Sequence, residues 1–438
     1  MKIPEEFDEI RPYEAEEMQQ AFDDLLNDRQ FSLVLKGFAP WLPKGIRNGL
    51  LKLAFKGVKT PLDFQQRFMK PIVKFIIRRH TDGCTFDDSL LPADKSLRYT
   101  FVSNHRDIVL DSAFLDVLLI KNGYPTTVEI GIGDNLLIYP WIKRLVRMNK
   151  AFTVRRGLTP KEMLRSSQLM SRYIHYAVNQ KHENVWISQR EGRAKDSDDR
   201  TQESVLKMLA MGASLPAAPA SPAAVAPASP VAVAPASPVA VAPASPVVGS
   251  PNSPAAFAPA SPVVGGLPAD SLLDLNIVPL TISYEYDPCD YLKAQELQQK
   301  RDDSTFKKSR QDDLDNMRIG IFGYKGRVHY HSGKPINSWI HELSGLPRNE
   351  FFATLARRMD QEIHRGYRLF PCNYIALDEL EGSTAHTDHY TEADKSRFDQ
   401  YLKGQIAKVN LPNKDEGFLR ATMLAMYANP LKNHLAAT

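Results

Sequence analysis

Residues 103–111, Ser-Asn-His-Arg-Asp-Ile-Val-Leu-Asp, gather an imidazole, a guanidinium and two carboxylates in one short stretch. A strand candidate over 96–103, rich in Tyr, Phe and Val, precedes it. A helix candidate from about Ser112 to Lys121 follows and stops at Asn122-Gly123, a C-cap signal. In open α/β sheets, sites form at the carboxyl ends of strands. A loop at that place lets Asp111 accept a hydrogen bond from one ring nitrogen of His105. The other nitrogen is then a base, and the carboxylate fixes the tautomer and stabilises the imidazolium that forms. A substrate that brings its own hydroxyl needs no Ser or Cys nucleophile. Asp107 is the alternative partner for His105, and the plainer reading makes Asp111 a helix N-cap. A protein-kinase reading of His-Arg-Asp fails. Ser112 stands where that signature needs Asn, and no Asp-Phe-Gly occurs.

The elements that must position this turn alternate. Thr127–Ile132 reads as a strand, Ile138–Arg147 as a helix and Ala151–Val154 as a strand. Thr159-Pro160-Lys161-Glu162 supplies an N-cap, a proline at the first helical position and a capping-box Glu, opening a helix to about Gln180. Asn184–Ser188 is the next strand, and Asn276–Tyr286 resumes strand character. Such alternation implies an α/β fold with a mostly parallel sheet flanked by helices. Beyond it, Asp290–Asn316 reads as one charged helical stretch, Gly320–Phe322 and Arg327–His331 as short strands, and the chain from about Leu346 as helical.

Between Leu215 and Pro268 the unit AVAPASPV repeats with a period of eight, at Ala224–Val231, Ala232–Val239 and Ala240–Val247. That period is too short for a solenoid. A Pro/Ala/Ser segment of this kind buries too little surface to offset its ordering entropy, so a disordered insertion within the α/β region is expected. The first ~40 residues read as acidic helical material. From Trp41 to Arg79, ten Lys and Arg stand among aliphatics and phenylalanines against the single acid Asp63. On a 3.6-residue period Arg67, Lys70, Lys74 and Arg78 share one face and Phe64, Phe68, Ile72, Phe75 and Ile76 another, with Pro71 kinking or restarting the helix. A basic amphipathic pair of this kind suits the headgroup layer of an anionic membrane. The plainer reading is a helix packed on its domain.

Composition excludes whole classes. The chain has 438 residues, 43% hydrophobic and 24% charged, with a formal net charge of +4. Wholesale disorder, collagen and coiled coil are ruled out. The charge is too small to mark a nucleic-acid binder. Cys84, Cys289 and Cys372 lie far apart with no CxxC, so neither a zinc ribbon nor a disulfide framework is expected. The acidic N-terminus lacks an apolar signal region, and no run of ~18 apolar residues suggests a membrane span. The His386-Thr387-Asp388-His389 spacing is read as a helix approach capped by Thr391, not as a metal site. His329 and His331 are read as solvated or structural.

Four blocks, in order, then resemble the glycerolipid (lysophosphatidate and glycerol-3-phosphate type) acyltransferases, over about residues 80–335 without the insertion. The family's first block is a His, four residues and an Asp, often after Asn. Here Asn104-His105 is followed by Asp111 after five. Its second block is Phe, two residues and Arg, matched by Phe152-Thr153-Val154-Arg155 with Arg156 beside it. An apolar strand before Pro-Glu-Gly-Thr-Arg is the third. Here Val185-Trp186-Ile187-Ser188 leads to Gln189-Arg190-Glu191-Gly192-Arg193, which keeps the Glu-Gly core and an Arg. The fourth, a Val-Pro strand, is Ile277-Val278-Pro279-Leu280.

The resemblance implies an O-acyltransferase that moves a fatty acyl group from an acyl thioester to a glycerol-type hydroxyl of a lysophospholipid. His105 and Asp111 would be the catalytic pair. Arg155, Arg156, Glu191, Gly192 and Arg193 would bind substrate, the arginines by charge-assisted bidentate hydrogen bonds to phosphate. Gly192 would let backbone approach the substrate. An arginine's plainer fate is a surface ion pair. No metal or resident cofactor is expected. CoA or acyl carrier protein brings the acyl group, and the other partners are the lysolipid and a membrane surface, not nucleic acid. The expected location is cytoplasmic, peripheral on the inner face of the membrane. The expected organisation is a helical region over 1–79, an α/β domain over 80–214 and 269–340 split by the insertion at 215–268, and a helical region over 341–438. Two alternatives stand beside this reading. One is an acyltransferase for glycerol 3-phosphate or a lyso-aminolipid. The other is a non-catalytic membrane scaffold on a degenerate acyltransferase fold.

Overall fold

Alternation of buried residues organises the sheet. In the strand Thr100–Ser103, Phe101 joins the apolar core on one face and Val102 the core on the other, so both faces are covered. A computed structural model describes residues 3–38, 40–212 and 269–438. The repeat insertion expected at 215–268 lies outside the described residues. Seven strands form one sheet: β1 (Cys84–Asp87), β2 (Thr100–Ser103), β3 (Val128–Gly133), β4 (Ala151–Val154), β5 (Asn184–Ser188), β6 (Ile277–Tyr284) and β7 (Val328–Ser332). Their order is β1-β7-β6-β2-β5-β3-β4. The five strands from β6 to β4 are parallel. β7 runs antiparallel to β6, and β1 is parallel to β7. The α/β class and the mostly parallel sheet are therefore as the sequence implies.

Helices Lys70–His80 and Leu110–Lys121 cover one face, with Val73, Ile76, Phe114 and Leu118 buried. Helices Pro160–Asn179, Glu203–Leu209 and Arg348–Arg365 cover the other. Ile3, Phe7 and Ile10 belong to that second core, so the N-terminal segment is pinned beneath the sheet rather than standing apart. Helices Pro371–Glu381, Glu392–Ala407 and Glu416–Ala437 build a further core together with Asp290–Asp302. Thr159 and Thr391 cap their helices through capping boxes, as their spacing foretells.

Two local expectations change. Gly320–Phe322 is not a strand but the end of helix Arg310–Phe322, because a short apolar run carries no period that separates strand from helix. The charged stretch after Asp290 is two helices, Asp290–Asp302 and Arg310–Phe322. The second begins at a capping box in which Ser309 accepts from the Asp312 N–H. β1 and helix Glu203–Leu209 carry too short a pattern to announce themselves. At Pro71, which has no N–H to donate, the helical path passes through a π turn (Phe64–Met69) and restarts as Lys70–His80.

Candidate active site at the carboxyl end of β2

β2 lies between β5 and β6, so the loop after Ser103 emerges at the centre of the sheet. Asn104 extends that order by one residue. Its Nδ2 donates to the Ile282 carbonyl at 2.9 Å, and its Oδ1 accepts from the Ile282 N–H at 2.8 Å. Both polar ends of the buried amide are thus matched to the backbone of β6. The next residue, His105, is held at a fixed height over the sheet.

The two carboxylates have separate tasks. Asp107 Oδ1 accepts the N–H groups of Val109 at 2.9 Å and Leu110 at 2.8 Å, which caps helix Leu110–Lys121. Asp111 sits one turn later, inside the helix, where Cβ tilts back toward the N-terminus. Its Oδ2 therefore reaches the loop and accepts from the N–H groups of Arg106 (2.7 Å) and Asp107 (3.0 Å), and lies 2.8 Å from His105 Nδ1. Tyr284, at the end of β6, donates to Asp111 Oδ1 at 3.2 Å. Asp111 is completely buried, whereas the His105 side chain keeps 13% of its surface. A carboxylate accepts only, so Nδ1 carries the proton and Nε2 of the neutral ring is left as a base. Among the described residues Nε2 makes no hydrogen bond. Trp186 of β5 meets the imidazole edge-on at 5.6 Å and is itself fixed by donating to Ser103 Oγ at 3.0 Å.

Further charges crowd behind the turn. Burial pushes the Asp107 carboxyl up, and the neighbouring charge of Asp111 pushes it the same way. Burial also raises the Asp199 carboxyl, against the pull of Arg106, Lys293 and Arg190. Both Asp199 oxygens lack a hydrogen-bond partner among the described residues, and Arg106 Nη1 stands 4.0 Å away. Tyr284 is held well above the ordinary tyrosine range by burial and by Tyr330 and Asp111, so it remains a donor.

The remaining residues of the resemblance fall in three places. Arg156 Nη1 forms an ion pair with Glu191 Oε1 at 2.7 Å, and its N–H donates to Asp134 Oδ1, which joins the loops after β4 and β5. Arg193 is half-buried and donates to Asn316 Oδ1 at 3.0 Å. Arg155 turns to the exposed side and pairs with Glu9, away from that cluster. Gly192 has φ +68°, a left-handed conformation that favours glycine, and open space lies above it. Sequence reasoning missed Tyr284, Trp186 and Gly320, whose packing against Asp107 leaves no room for a Cβ. Their signal exists only once β5, β6 and helix Arg310–Phe322 are known to lie against the turn after β2. Among the described residues no group of three or more His, Cys, Asp or Glu could hold a metal ion, and the three cysteines are unpaired. Neither a family model nor a curated protein matches the chain.

Proposed function

We propose that this protein is an O-acyltransferase that moves a fatty acyl group from an acyl thioester to a glycerol-type hydroxyl of a lysophospholipid. The observation that carries this reading is a solvent-reaching imidazole whose Nδ1 is bound to the buried Asp111 while Nε2 stays free. His105 Nε2 takes the proton of the acceptor hydroxyl as its oxygen attacks the thioester carbonyl. The tetrahedral oxyanion collapses, the C–S bond breaks, and the imidazolium returns the proton to the departing thiolate. Asp111 stabilises the imidazolium in between. Arg193 and Arg156, on the loops after β5 and β4, supply charge for a phosphate on the acceptor.

A second feature supports a lipid acceptor. Helix Lys44–Phe55 turns Ile46, Leu50 and Leu53 outward at helical spacing, below Trp41, which is 76% exposed. Lys44, Lys52 and Lys56 flank this stripe, and Ile72 and Phe75 stand exposed beside Lys74 and Arg78. Phe64 and Ile76, expected on the same lipid-facing side, are instead buried in the protein. The outward part matches a surface that seats on anionic lipid. Among the described residues no helix is long and apolar enough to cross a membrane.

Purified full-length protein, an acyl-CoA and lysophosphatidate test the proposal. Turnover is expected, and His105→Ala should lower kcat by ~10²–10⁴ with the thermal transition kept. Undiminished turnover in that variant defeats the mechanism. A cellular phenotype that survives His105→Ala, with no lyso-species accumulating, favours the scaffold instead.

A further inference from the structure

The loop after β5, which carries Glu191, Gly192 and Arg193, continues to Asp199. This carboxylate is completely buried, and neither of its oxygens has a hydrogen-bond partner among the described residues. A buried acceptor left in that state is costly, so its place calls for a reason. The backbone around it is firmly held. The Asp199 carbonyl lies 3.2 Å from His364 Nε2, and Thr201 donates to Asp360 Oδ1 through its N–H at 2.7 Å and its Oγ1 at 2.6 Å. Both partners belong to helix Arg348–Arg365. Among the described residues the Asp199 carboxylate makes one ion pair, with Arg106, whose Nη1 stands 4.0 Å from Oδ2. That distance is too long for a hydrogen bond but well within reach of charge attraction in an interior.

Arg106 has one end in that pair and the other in the turn that carries the base. Its own N–H donates to Asp111 Oδ2 at 2.7 Å, the oxygen that also lies 2.8 Å from His105 Nδ1. The guanidinium is buried, donates weakly from Nε to the Ile282 carbonyl at 3.5 Å, and lies 5.8 Å from the centre of the Tyr367 ring. Three carboxylates act on its charge: Asp199, Asp287 and Asp111. Two of them are committed elsewhere. Asp287 receives Lys293 at 2.6 Å, and Asp111 receives the loop N–H groups, His105 and Tyr284. Asp199 is the one with both oxygens left to balance the guanidinium. A shift of the Arg106 side chain would carry its N–H off Asp111 and turn the imidazole with it.

Resting on the acyltransferase reading for its kinetics, we propose that Asp199 is a positioning residue for His105. Its charge anchors the Arg106 side chain from the loop after β5, and the Arg106 backbone then holds Asp111 and the imidazole in register. Asp199 touches no substrate in this role. The pair also ties the turn after β2 to the loop that carries Arg193, so the base and the arginine assigned to the acceptor's phosphate keep a fixed separation.

The test uses the full chain. Asp199→Asn keeps the shape of the side chain and removes its charge. With isotope-labelled histidine, the Nδ1 proton of His105, assigned by its loss in His105→Ala, should give a low-field magnetic resonance in wild type. In Asp199→Asn that resonance should move upfield or broaden, and this readout needs no turnover. With an acyl-CoA and lysophosphatidate, kcat should fall ~10- to 100-fold while both KM values stay within about 2-fold. In the Arg106→Gln background the same substitution should change almost nothing further, because Asp199 acts through Arg106. If Asp199→Asn alone does not fold, Arg106→Gln/Asp199→Asn replaces it, since it leaves neither charge of the pair buried alone, and it should show the same altered resonance and the same loss of kcat. An unchanged resonance with unchanged kcat overturns the proposal. So does a raised KM with kcat kept, which gives Asp199 to the substrate, or an undiminished effect of Asp199→Asn when Arg106 is already replaced. A resonance that moves in a protein with no turnover in any form supports the positioning and defeats the acyltransferase reading alone.

Discussion

Tyr284 at the end of β6 donates its hydroxyl to Oδ1 of Asp111 at 3.2 Å, while His105 occupies the other oxygen. The tyrosine thus orients the buried carboxylate from the side opposite the imidazole. Tyr284→Phe removes one hydrogen bond to a charged group and leaves the ring in place. Such bonds are worth about 1.5–3 kcal/mol, and only part of that is felt through Asp111 at the reacting nitrogen. The expected result is a kcat lower by roughly 3- to 30-fold, with KM for the acceptor little changed. Steady-state kinetics beside circular dichroism would check this. An unchanged kcat would mean that the loop N–H groups orient Asp111 unaided.

Gly320 makes a different demand on the same turn. A methyl group there would collide with Oδ2 of Asp107, whose other oxygen caps helix Leu110–Lys121. The carboxylate is buried and cannot swing into solvent. Gly320→Ala therefore gains helix propensity in Arg310–Phe322 but forces an overlap in a packed interior, which costs about 1–3 kcal/mol. A lower unfolding midpoint together with reduced turnover is expected. A variant as stable as wild type would show that the two helices separate more easily than their packing implies.

How far the sequence foretells this site can be judged from its two carboxylates. Spacing alone left Asp107 and Asp111 as rival partners for His105. The difference between them lies in where the helix starts. Expected at about Ser112, it starts at Leu110, and that places Asp107 at the cap and Asp111 in the first turn with its side chain leaning back. Strong local chemistry was legible. β4 and β5 fall on the expected residues, and the Thr159–Glu162 box opens the expected helix. What depends on neighbours distant in the chain was not legible. Tyr284 reaches Asp111 across 173 residues. Arg155, read from a motif, pairs with Glu9 near the N-terminus, because the segment containing Ile3, Phe7 and Ile10 tucks into the core beneath the sheet. No local pattern announces that docking.

The outward stripe of helix Lys44–Phe55 gives a prediction separate from catalysis. Leu53 is 68% exposed and Trp41 more so, and neither supports the core beneath. Trp41→Ser/Leu53→Ser should weaken binding to phosphatidylglycerol-containing vesicles by ~10²–10⁴-fold, since two buried large apolar side chains are together worth roughly 3–6 kcal/mol. The thermal midpoint in solution should hold. Added salt should weaken wild-type binding as well, because the flanking lysines act through a screened field. Vesicle co-sedimentation that is indifferent to both changes would place the lipid contact elsewhere on the molecule.

His364 offers a test of the buried cluster behind the turn. Its ring is buried against Tyr367, with Nε2 3.2 Å from the Asp199 carbonyl. Burial draws its pKa down to about 4, with Arg200 and Arg106 acting in the same direction and the Asp199 carbonyl and Asp198 against it. The folded value thus lies below the ordinary 6.5 of the unfolded chain, and between these two values the unfolded state binds more protons. The stability that depends on a neutral His364 is complete above about pH 6.5 and drains away as pH falls toward 4, by at most about 3 kcal/mol. Unfolding midpoints of wild type and His364→Gln, followed from pH 7 to pH 4, should converge as acid is added. Groups common to both proteins cancel in that difference. Parallel curves would mean that the imidazole gains its proton in the folded protein as easily as in water, which would require an anionic partner such as Asp198, whose charge already acts in that direction.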